Sequence, residues 1–261
     1  MSKVVDRVTR SLWRGITTGC AAAAGIVLPG AGFRVCLCPN HTVPPWLKDM
    51  PHSMTDEALP ELPLGALDKL DTGDDLTFYA PPRLVTHIDE SATAALAGFY
   101  RSVLPAGGCL IDLMSRWVSH LPPEQAYAGV VGHGMNATEL AANPRLSHWF
   151  IQNLNEDPAL KFDDDAFDAA LCCVGVQYLQ QPLSVFSEMR RIFAPGAPFI
   201  VSFSNRSFPT KAVAVWRALE LRGHVALVKL YLEWSGFGHL TVDVLADGRS
   251  GDPLVAVTGR A

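Results

Sequence analysis

The polar side chains best suited to chemistry come at the carboxyl ends of short apolar runs in this sequence. Asp112 ends the run Cys-Leu-Ile-Asp, His133 follows Gly-Val-Val-Gly, and Asn153 follows Trp-Phe-Ile-Gln. A carboxylate accepts hydrogen bonds from amines and hydroxyls, and an imidazole or an amide supplies neutral ones. Because ligands bind outside the carboxyl ends of the strands in open α/β sheets, this spacing predicts a binding cleft at one edge of a sheet.

Two later runs end in polar residues that we assign to the substrate side of this cleft. Gln177 and Tyr178 follow the fourth run, and Asn205 and Arg206 follow the fifth. Arg206 can bind a carboxylate or a phosphate bidentately, or it can pair with a nearby surface acid. His120 and Tyr178 are candidate bases for a hydroxyl acceptor, with a loop histidine and a tyrosine packed under a helix as the structural alternatives.

The elements that position these residues are predicted from hydrophobic periodicity. Runs rich in Val, Ile, Leu and Phe predict seven strands, at residues 109–113, 129–133, 149–153, 167–174, 199–204, 240–245 and 254–258. Helical periodicity predicts helices at residues 91–104, 137–142, 183–193 and 211–221. Strands alternating with helices indicate an α/β fold, a doubly wound and mostly parallel sheet with helices on both faces.

Composition describes a folded and mildly acidic protein. Of 261 residues, 49% are hydrophobic and 18% are charged, and 21 basic against 26 acidic residues give a net charge of −5. This charge, without a Lys/Arg-rich run, argues against a nucleic-acid partner. The six cysteines do not form a disulfide-scaffold pattern, and the pair Cys36 and Cys38 lacks the spacing of a metal site, so we expect no metal.

The chain divides into three parts by composition. Residues 1–47 are basic, contain Ser and Thr, and hold one acid, which predicts a targeting segment, for a plastid rather than a mitochondrion, with a cytoplasmic tail as the alternative. Their small-residue tract is too weakly apolar for a membrane span. Residues 48–75 are rich in Pro and acids and predict a linker with a solvated acidic face, and residues 76–261 predict the folded domain.

The stretch from residue 162 to 205 carries a resemblance to a known family. Lys-Phe-Asp-Asp-Asp-Ala-Phe-Asp-Ala-Ala-Leu, then Val-Gln-Tyr-Leu, then Glu-Met-Arg-Arg-Ile-Phe-Ala-Pro-Gly, resembles the class I, seven-stranded S-adenosylmethionine-dependent methyltransferases of type 11. The resemblance covers about residues 76–261 and implies a Rossmann-like sheet. It also implies S-adenosylmethionine as cofactor and methyl transfer to a small-molecule acceptor. The sequence identifies neither that acceptor nor the oligomeric state.

The resemblance also implies where the cofactor binds. It places the cofactor at the ends of the first three strands, at Asp112, Met114, Ser115, His133, Gly134, Met135, Asn153 and Leu154. The substrate side corresponds to Gln177, Asn205 and Arg206, with His120 and Tyr178 as the catalytic candidates.

Four positions in the first two motifs depart from the family pattern. Met114, Arg116 and Val118 stand where the family has glycines, and Gly134 stands where an acid holds the ribose. Larger side chains disfavour positive φ and close approach to a ligand, so either the loop takes another path or the pocket is partly filled. The alternative function is therefore a catalytically silent, methyltransferase-like binding or scaffold protein. A nicotinamide-dependent enzyme would need G-x-G-x-x-G after the first strand, and this sequence lacks it there.

Overall fold

The computed structural model describes residues 62–63 and 65–261. The predicted targeting segment, residues 1–47, lies outside the described residues. So do residues 48–61 and 64 of the predicted linker. Within the described part of the chain, no helix is long and apolar enough to cross a membrane.

A single seven-stranded sheet organises the described residues, and the predicted fold class is confirmed. Its strands are β1 (Cys109–Asp112), β2 (Gly129–Gly134), β3 (His148–Ile151), β4 (Ala169–Cys173), β5 (Pro198–Phe203), β6 (Gly238–Ala246) and β7 (Leu254–Arg260). They lie in the order β3-β2-β1-β4-β5-β7-β6. The pairs from β3 through β5 are parallel, whereas β7 runs antiparallel to both β5 and β6. Strand β1 is therefore the switch point, with β2 on one side and β4 on the other.

The helices partly follow the predicted pattern. They are α1 (Asp75–Tyr79), α2 (Glu90–Val103), α3 (Ala137–Ala141), α4 (Pro182–Ile192), α5 (Ala214–Ala218) and α6 (Leu221–Trp234), with a 3₁₀ turn at Val176–Tyr178. The helix predicted at 211–221 is wrong, because the chain turns extended at Leu219 and Glu220 between two separate helices. Helix α6 escaped the periodicity analysis because it buries eight residues around most of its circumference and lacks a clear polar stripe.

The core occupies both faces of the sheet. Alternate strand residues point to opposite faces, so Leu110 and Leu171 pack with helix α2, while Ile111 and Ala170 pack with helices α4 and α6. Burial on both faces explains why the strands read as continuous apolar runs rather than as alternating patterns.

The N-terminal segment, residues 65–89, packs against the domain although its first part was predicted to be linker. The N–H of Val215 donates to the carbonyl oxygen of Ala66 at 2.8 Å. The Asp75 carboxylate, expected on a solvated face, is 6% exposed and pairs with the buried Lys69 and Lys211. A buried carboxylate requires such partners. This ion cluster fixes helix α1 against the domain.

The crossover between β1 and β2 shapes the site that follows. Residues 113–128 form turns and bends with no helix. The chain therefore leaves the end of β1 as a loop, hereafter the β1 loop (residues 114–120), and it is this loop that meets the ends of the neighbouring strands.

Candidate functional site

A cavity of about 470 Å³ opens at the carboxyl ends of β1, β2 and β4. Its walls come from six parts of the chain: the N-terminal segment, the β1 loop, the turn from β2 into α3, the loop after β4, the loop after β5, and Asp252 before β7. Predicted site residues among its lining are Met114, Ser115, His133, Gly134, Met135, Tyr178 and Arg206. The volume is within the range of small-molecule and cofactor sites, and the position beside the switch strand is the one expected for ligands in this architecture.

The β1 loop turns as a glycine would allow, although it begins with a methionine. Met114 has φ 58°, in the left-handed region that costs an L-residue about 1–2 kcal/mol. Two contacts hold this conformation: the N–H of Ser115 donates to the His133 carbonyl at 2.6 Å, and its Oγ donates to Asp112 Oδ2 at 2.6 Å. The larger side chain therefore does not forbid the turn here.

Two glycines make room for this loop. A Cβ on Gly134 would lie 2.6 Å from the Ser115 carbonyl oxygen, and a Cβ on Gly175 would lie 2.9 Å from the Cβ of Met114. Real Cβ contacts do not come this close, so both positions need glycine while the loop keeps this path. The acid that the family places at position 134 is thus excluded by the approach of the β1 loop.

Asp112 supports the loop from below rather than lining the cavity. Its carboxyl is 3% exposed, and its Oδ2 accepts the Ser115 hydroxyl. Burial raises the pKa of Asp112 to about 6, with the hydrogen bonds from Ser115 and Ser119 opposing that rise. Among the described residues it therefore acts on the cavity through Ser115, which does line it.

His133 cannot play the predicted role of a ribose ligand with this geometry. Its Nδ1 accepts the N–H of Met114 at 3.1 Å, and its Nε2 donates to the Gln152 carbonyl at 2.9 Å. Both ring nitrogens are therefore used to join the β1 loop to the end of β3. Burial lowers the pKa of His133 to about 4, so the ring is neutral at pH 7, as one donated and one accepted bond require.

Arg116 occupies a family glycine position and makes a bidentate ion pair with helix α3. Its Nε lies 2.7 Å from Glu139 Oε2 and its Nη2 lies 2.8 Å from Glu139 Oε1. Arg116 also donates to the Arg83 carbonyl and contacts the His87 ring, while Glu139 accepts the N–H of Arg83 at 2.6 Å. The pair thus holds the N-terminal segment over the cavity, and burial together with the Arg116 charge lowers the pKa of His87 to about 4.

Aromatic side chains form the wall facing β4 and β5. The ring centroids of Tyr79 and Tyr178 are 6.3 Å apart, and Phe208 lies 6.3 Å from Tyr79 and 6.1 Å from Tyr178. The Tyr178 hydroxyl accepts the N–H of Phe208 at 2.9 Å. This bond ties the loop after β5 to the turn after β4.

Arg206 and Asp252 lie at the mouth of the cavity. Arg206 Nε donates to Asp252 Oδ1 at 2.8 Å, and the Arg206 side chain is 64% exposed. Asp252 Oδ2 also accepts the N–H of Asp89, and the N–H of Asp252 donates back to Asp89 Oδ2 at 2.6 Å. The predicted pairing of Arg206 with a nearby acid is present, and it coexists with a position on the cavity.

Several predicted site residues lie away from this cavity. Asn153 is occupied by Glu156 and by the N–H of Asn155, and Leu154 is buried in the core. Gln177 is buried and donates to the Val174 carbonyl. The residues that the described cavity lining does not include are Asp112, His120, Asn153, Leu154, Gln177 and Asn205.

Sequence reasoning missed the part of the lining that comes from distant segments. The missed residues include Tyr79, His87, Asp89, Glu139, Phe208 and Asp252. Glu139 had one available signal, since it lies three residues after Asn136, whose side chain caps α3 by accepting the N–H of Glu139. The others precede or follow the recognisable motifs, and nothing local marks them as neighbours of β1.

The comparisons with known proteins bear on the part of the chain that builds this cavity. Residues 106–201 match a family model described as a methyltransferase domain. This match covers 96 of the 261 residues. The matched residues include β1 to β4 and most of β5, together with the β1 loop and both glycines that accommodate it.

A curated relative matches a little under half of this chain. The biotin biosynthesis bifunctional protein BioHC of Teredinibacter turnerae is 32% identical over 122 residues, which is 46% of this chain and 21% of the relative. The chain therefore spans about a fifth of the length of that relative.

A solved structure shares the fold, and another matches more weakly. A putative methyltransferase complexed with the Trm112 activator of Haloferax volcanii matches with a TM-score of 0.50 at 16% identity, over 65% of this chain and 88% of that one. The phosphoethanolamine N-methyltransferase 2 of Haemonchus contortus, in complex with S-adenosyl-L-methionine, gives a TM-score of 0.47 at 12% identity, over 64% and 52% of the two chains. At such identities the likeness concerns the fold alone.

Proposed function

We propose that this protein transfers a methyl group from S-adenosylmethionine to a small-molecule acceptor. The observation that carries the proposal is the cavity at the ends of β1, β2 and β4, three strands that lie within the residues matching the methyltransferase-domain model. Its size suits a cofactor, and its β1 loop makes the left-handed turn at Met114 that a glycine would make.

The residues present fit the cofactor in shape more closely than in polar contacts. Met114, Gly134, Met135 and Asn136 line the β1 and β2 side and would hold it there. The family's ribose carboxylate has no counterpart at Gly134, and Glu139, five residues further on, is engaged by Arg116. The bound cofactor supplies an activated methyl group on a sulfonium, so the protein's task is chiefly alignment and exclusion of water.

The acid and imidazole groups around the cavity are already engaged by the protein. His133 uses both ring nitrogens, His87 contacts Arg116, and Glu139 accepts from Arg116 and Arg83. An acceptor that needed a dedicated base would have to break one of these contacts. We therefore infer an acceptor atom whose lone pair is already free at neutral pH, so that no side chain has to remove a proton from it. Tyr178 would then contact the acceptor without acting as a base.

The decisive experiment is a calorimetric titration of the full chain with S-adenosylmethionine and S-adenosylhomocysteine. We expect a Kd in the micromolar range. Asp112→Ala should weaken binding about tenfold, because loss of its bond to Ser115 releases the β1 loop. The matched control is Asp243→Ala, which removes another buried aspartate, on β6 and outside the described lining.

The opposite result would select the alternative function. A folded wild-type sample that releases no heat with millimolar ligand would reject methyl transfer and favour the catalytically silent scaffold. Equal effects of the two aspartate substitutions would reject the role given to the β1 loop.

A further inference from the structure

The hydroxyl of Tyr79 is an unused hydrogen-bonding group in the wall of the cavity. Tyr79 lines the cavity, and its Oη is buried with no hydrogen-bond partner among the described residues. A buried hydroxyl without a partner costs about 1–3 kcal/mol. Buried polar groups usually have a hydrogen-bond partner, and for a group that lines a ligand cavity the simplest partner is the ligand.

The backbone of Tyr79 is held firmly, so the position of the hydroxyl is defined. The Tyr79 carbonyl oxygen accepts Asn136 Nδ2 at 2.8 Å, which ties it to the end of β2. Helix α1, which ends at Tyr79, is anchored through Asp75 by Lys211 Nζ at 3.0 Å and by Asn155 Nδ2 at 3.1 Å. The ring is therefore presented to the cavity by a fixed helix.

The unused group is a donor, and the carboxylates that line the cavity with it are already engaged. Burial, and next the neighbouring Tyr178, raise the pKa of Tyr79, so the phenol keeps its proton at neutral pH. The carboxylates of Glu139 and Asp252 already accept from arginine and backbone donors. A ligand that satisfies Tyr79 must therefore bring an acceptor of its own.

A second donor lies on the same cavity. Arg206 uses Nε for Asp252, and no hydrogen bond involves its Nη1 or Nη2 within the described residues. The guanidinium and the phenol are each donors of the kind that a carboxylate accepts, since its two oxygens take several bonds and its charge strengthens each one.

We propose that Tyr79 is a ligand-contacting residue whose hydroxyl donates a hydrogen bond to a carboxylate oxygen of a molecule bound in the cavity. The inference rests on the proposed function for the identity of that molecule. The carboxylate belongs either to the amino-acid part of S-adenosylmethionine or to the methyl acceptor, and the two sources share the same chemistry.

The test compares Tyr79→Phe with wild type by calorimetry, using two cofactor analogues. S-adenosylhomocysteine carries the carboxylate, whereas 5′-methylthioadenosine lacks the amino-acid part. The matched control is Tyr231→Phe, which removes another buried and unpartnered hydroxyl, on α6 and outside the described lining. If the carboxylate is the cofactor's, Tyr79→Phe weakens S-adenosylhomocysteine about tenfold or more and leaves 5′-methylthioadenosine unchanged.

The second arm detects a carboxylate on the acceptor. Acetate, malonate and benzoate are titrated into the complex with S-adenosylhomocysteine, with acetamide, malonamide and benzamide as neutral controls. Binding of an acid but not of its amide, lost in Tyr79→Phe and kept in Tyr231→Phe, supports the proposal from the acceptor side. Equal weakening of both nucleosides, or no Tyr79-dependent binding in either arm, overturns it.

Failure of the proposed function gives a different pattern. Wild type would then bind neither nucleoside, and the carboxylates would be titrated into the free protein. Tyr79-dependent binding of an acid would keep the assignment of Tyr79 while methyl transfer is rejected, and its absence would overturn both.

Discussion

Replacing Glu139 with glutamine removes the charge that holds Arg116 against helix α3. The side chain of Glu139 is 4% exposed and that of Arg116 is 19% exposed, with the closest pair of atoms 2.7 Å apart. Glutamine keeps the shape and can still accept the N–H of Arg83, so the substitution isolates the charge. The reverse change, Arg116→Met, leaves the Glu139 carboxylate buried without its cation.

The two substitutions should differ in cost. Removing one partner of a buried ion pair costs about 3–5 kcal/mol, because a charge is left uncompensated in a medium of low polarity. Water can reach Arg116 more easily than Glu139, so we expect about 3 kcal/mol for Glu139→Gln and about 4–5 kcal/mol for Arg116→Met. The double variant leaves no unpaired charge, so its loss in free energy of unfolding should be smaller than the sum of the losses of the two single variants.

Urea unfolding of the wild type, both single variants and the double variant gives the complete cycle. The matched control is Glu124→Gln, which breaks the pair of Arg101 and Glu124, with side chains 52% and 57% exposed, and should leave the free energy of unfolding unchanged. Hydrogen exchange of residues 79–89 should rise in both single variants, since this segment bonds to both side chains. Additive single effects, or a loss below about 1 kcal/mol for each, would refute the reasoning.

Two other predictions concern the floor of the cavity. Gly134→Ala should lower the free energy of unfolding by about 1–3 kcal/mol, because the new Cβ would lie 2.6 Å from the Ser115 carbonyl oxygen. The control is Gly238→Ala, where the new Cβ would meet open space. An equal loss of stability in the two variants would contradict the prediction. Burial raises the pKa of Asp112 from 3.8 to about 6, so the folded state binds the proton more tightly and wild type loses stability relative to Asp112→Asn as pH rises from 4 to 6. The loss should reach about 2 kcal/mol between urea titrations at pH 4 and pH 7, and a pH-independent difference between the two proteins would reject it.

The strands could be predicted because their burial leaves a local mark. Strands β1, β4, β5 and β7 are buried along nearly their whole length, so each appears as a short apolar run. All seven strands, including the more exposed β3 and β6, were recognised to within a few residues. Helices α2 and α4 left an equally local mark, because each has one buried face. Helix α6 did not, since burial around most of its surface removes the polar stripe on which the periodicity depends.

The site was only half predictable for a related reason. The ends of β1, β2 and β4 reach the cavity because parallel strands present their carboxyl ends at one edge, which topology alone guarantees. The residues that cover that edge come from chain far away: Glu139 meets Arg116 from 23 positions along the chain and Arg83 from 56 positions. No local pattern encodes such partners.

The sequence by itself determined the sheet, the faces of two helices and the edge of the sheet at which the cavity opens, because these depend on backbone preferences and on the period of burial. Tertiary structure alone decided which polar groups remain available there. Both ring nitrogens of His133 bond to backbone groups, and Asp112 accepts the Ser115 hydroxyl beneath the cavity. Tyr79 lines the cavity with its hydroxyl unpaired among the described residues. The physical reason is that a hydrogen-bonding group is satisfied or left over according to its neighbours in space, and those neighbours are fixed only when the chain has closed on itself.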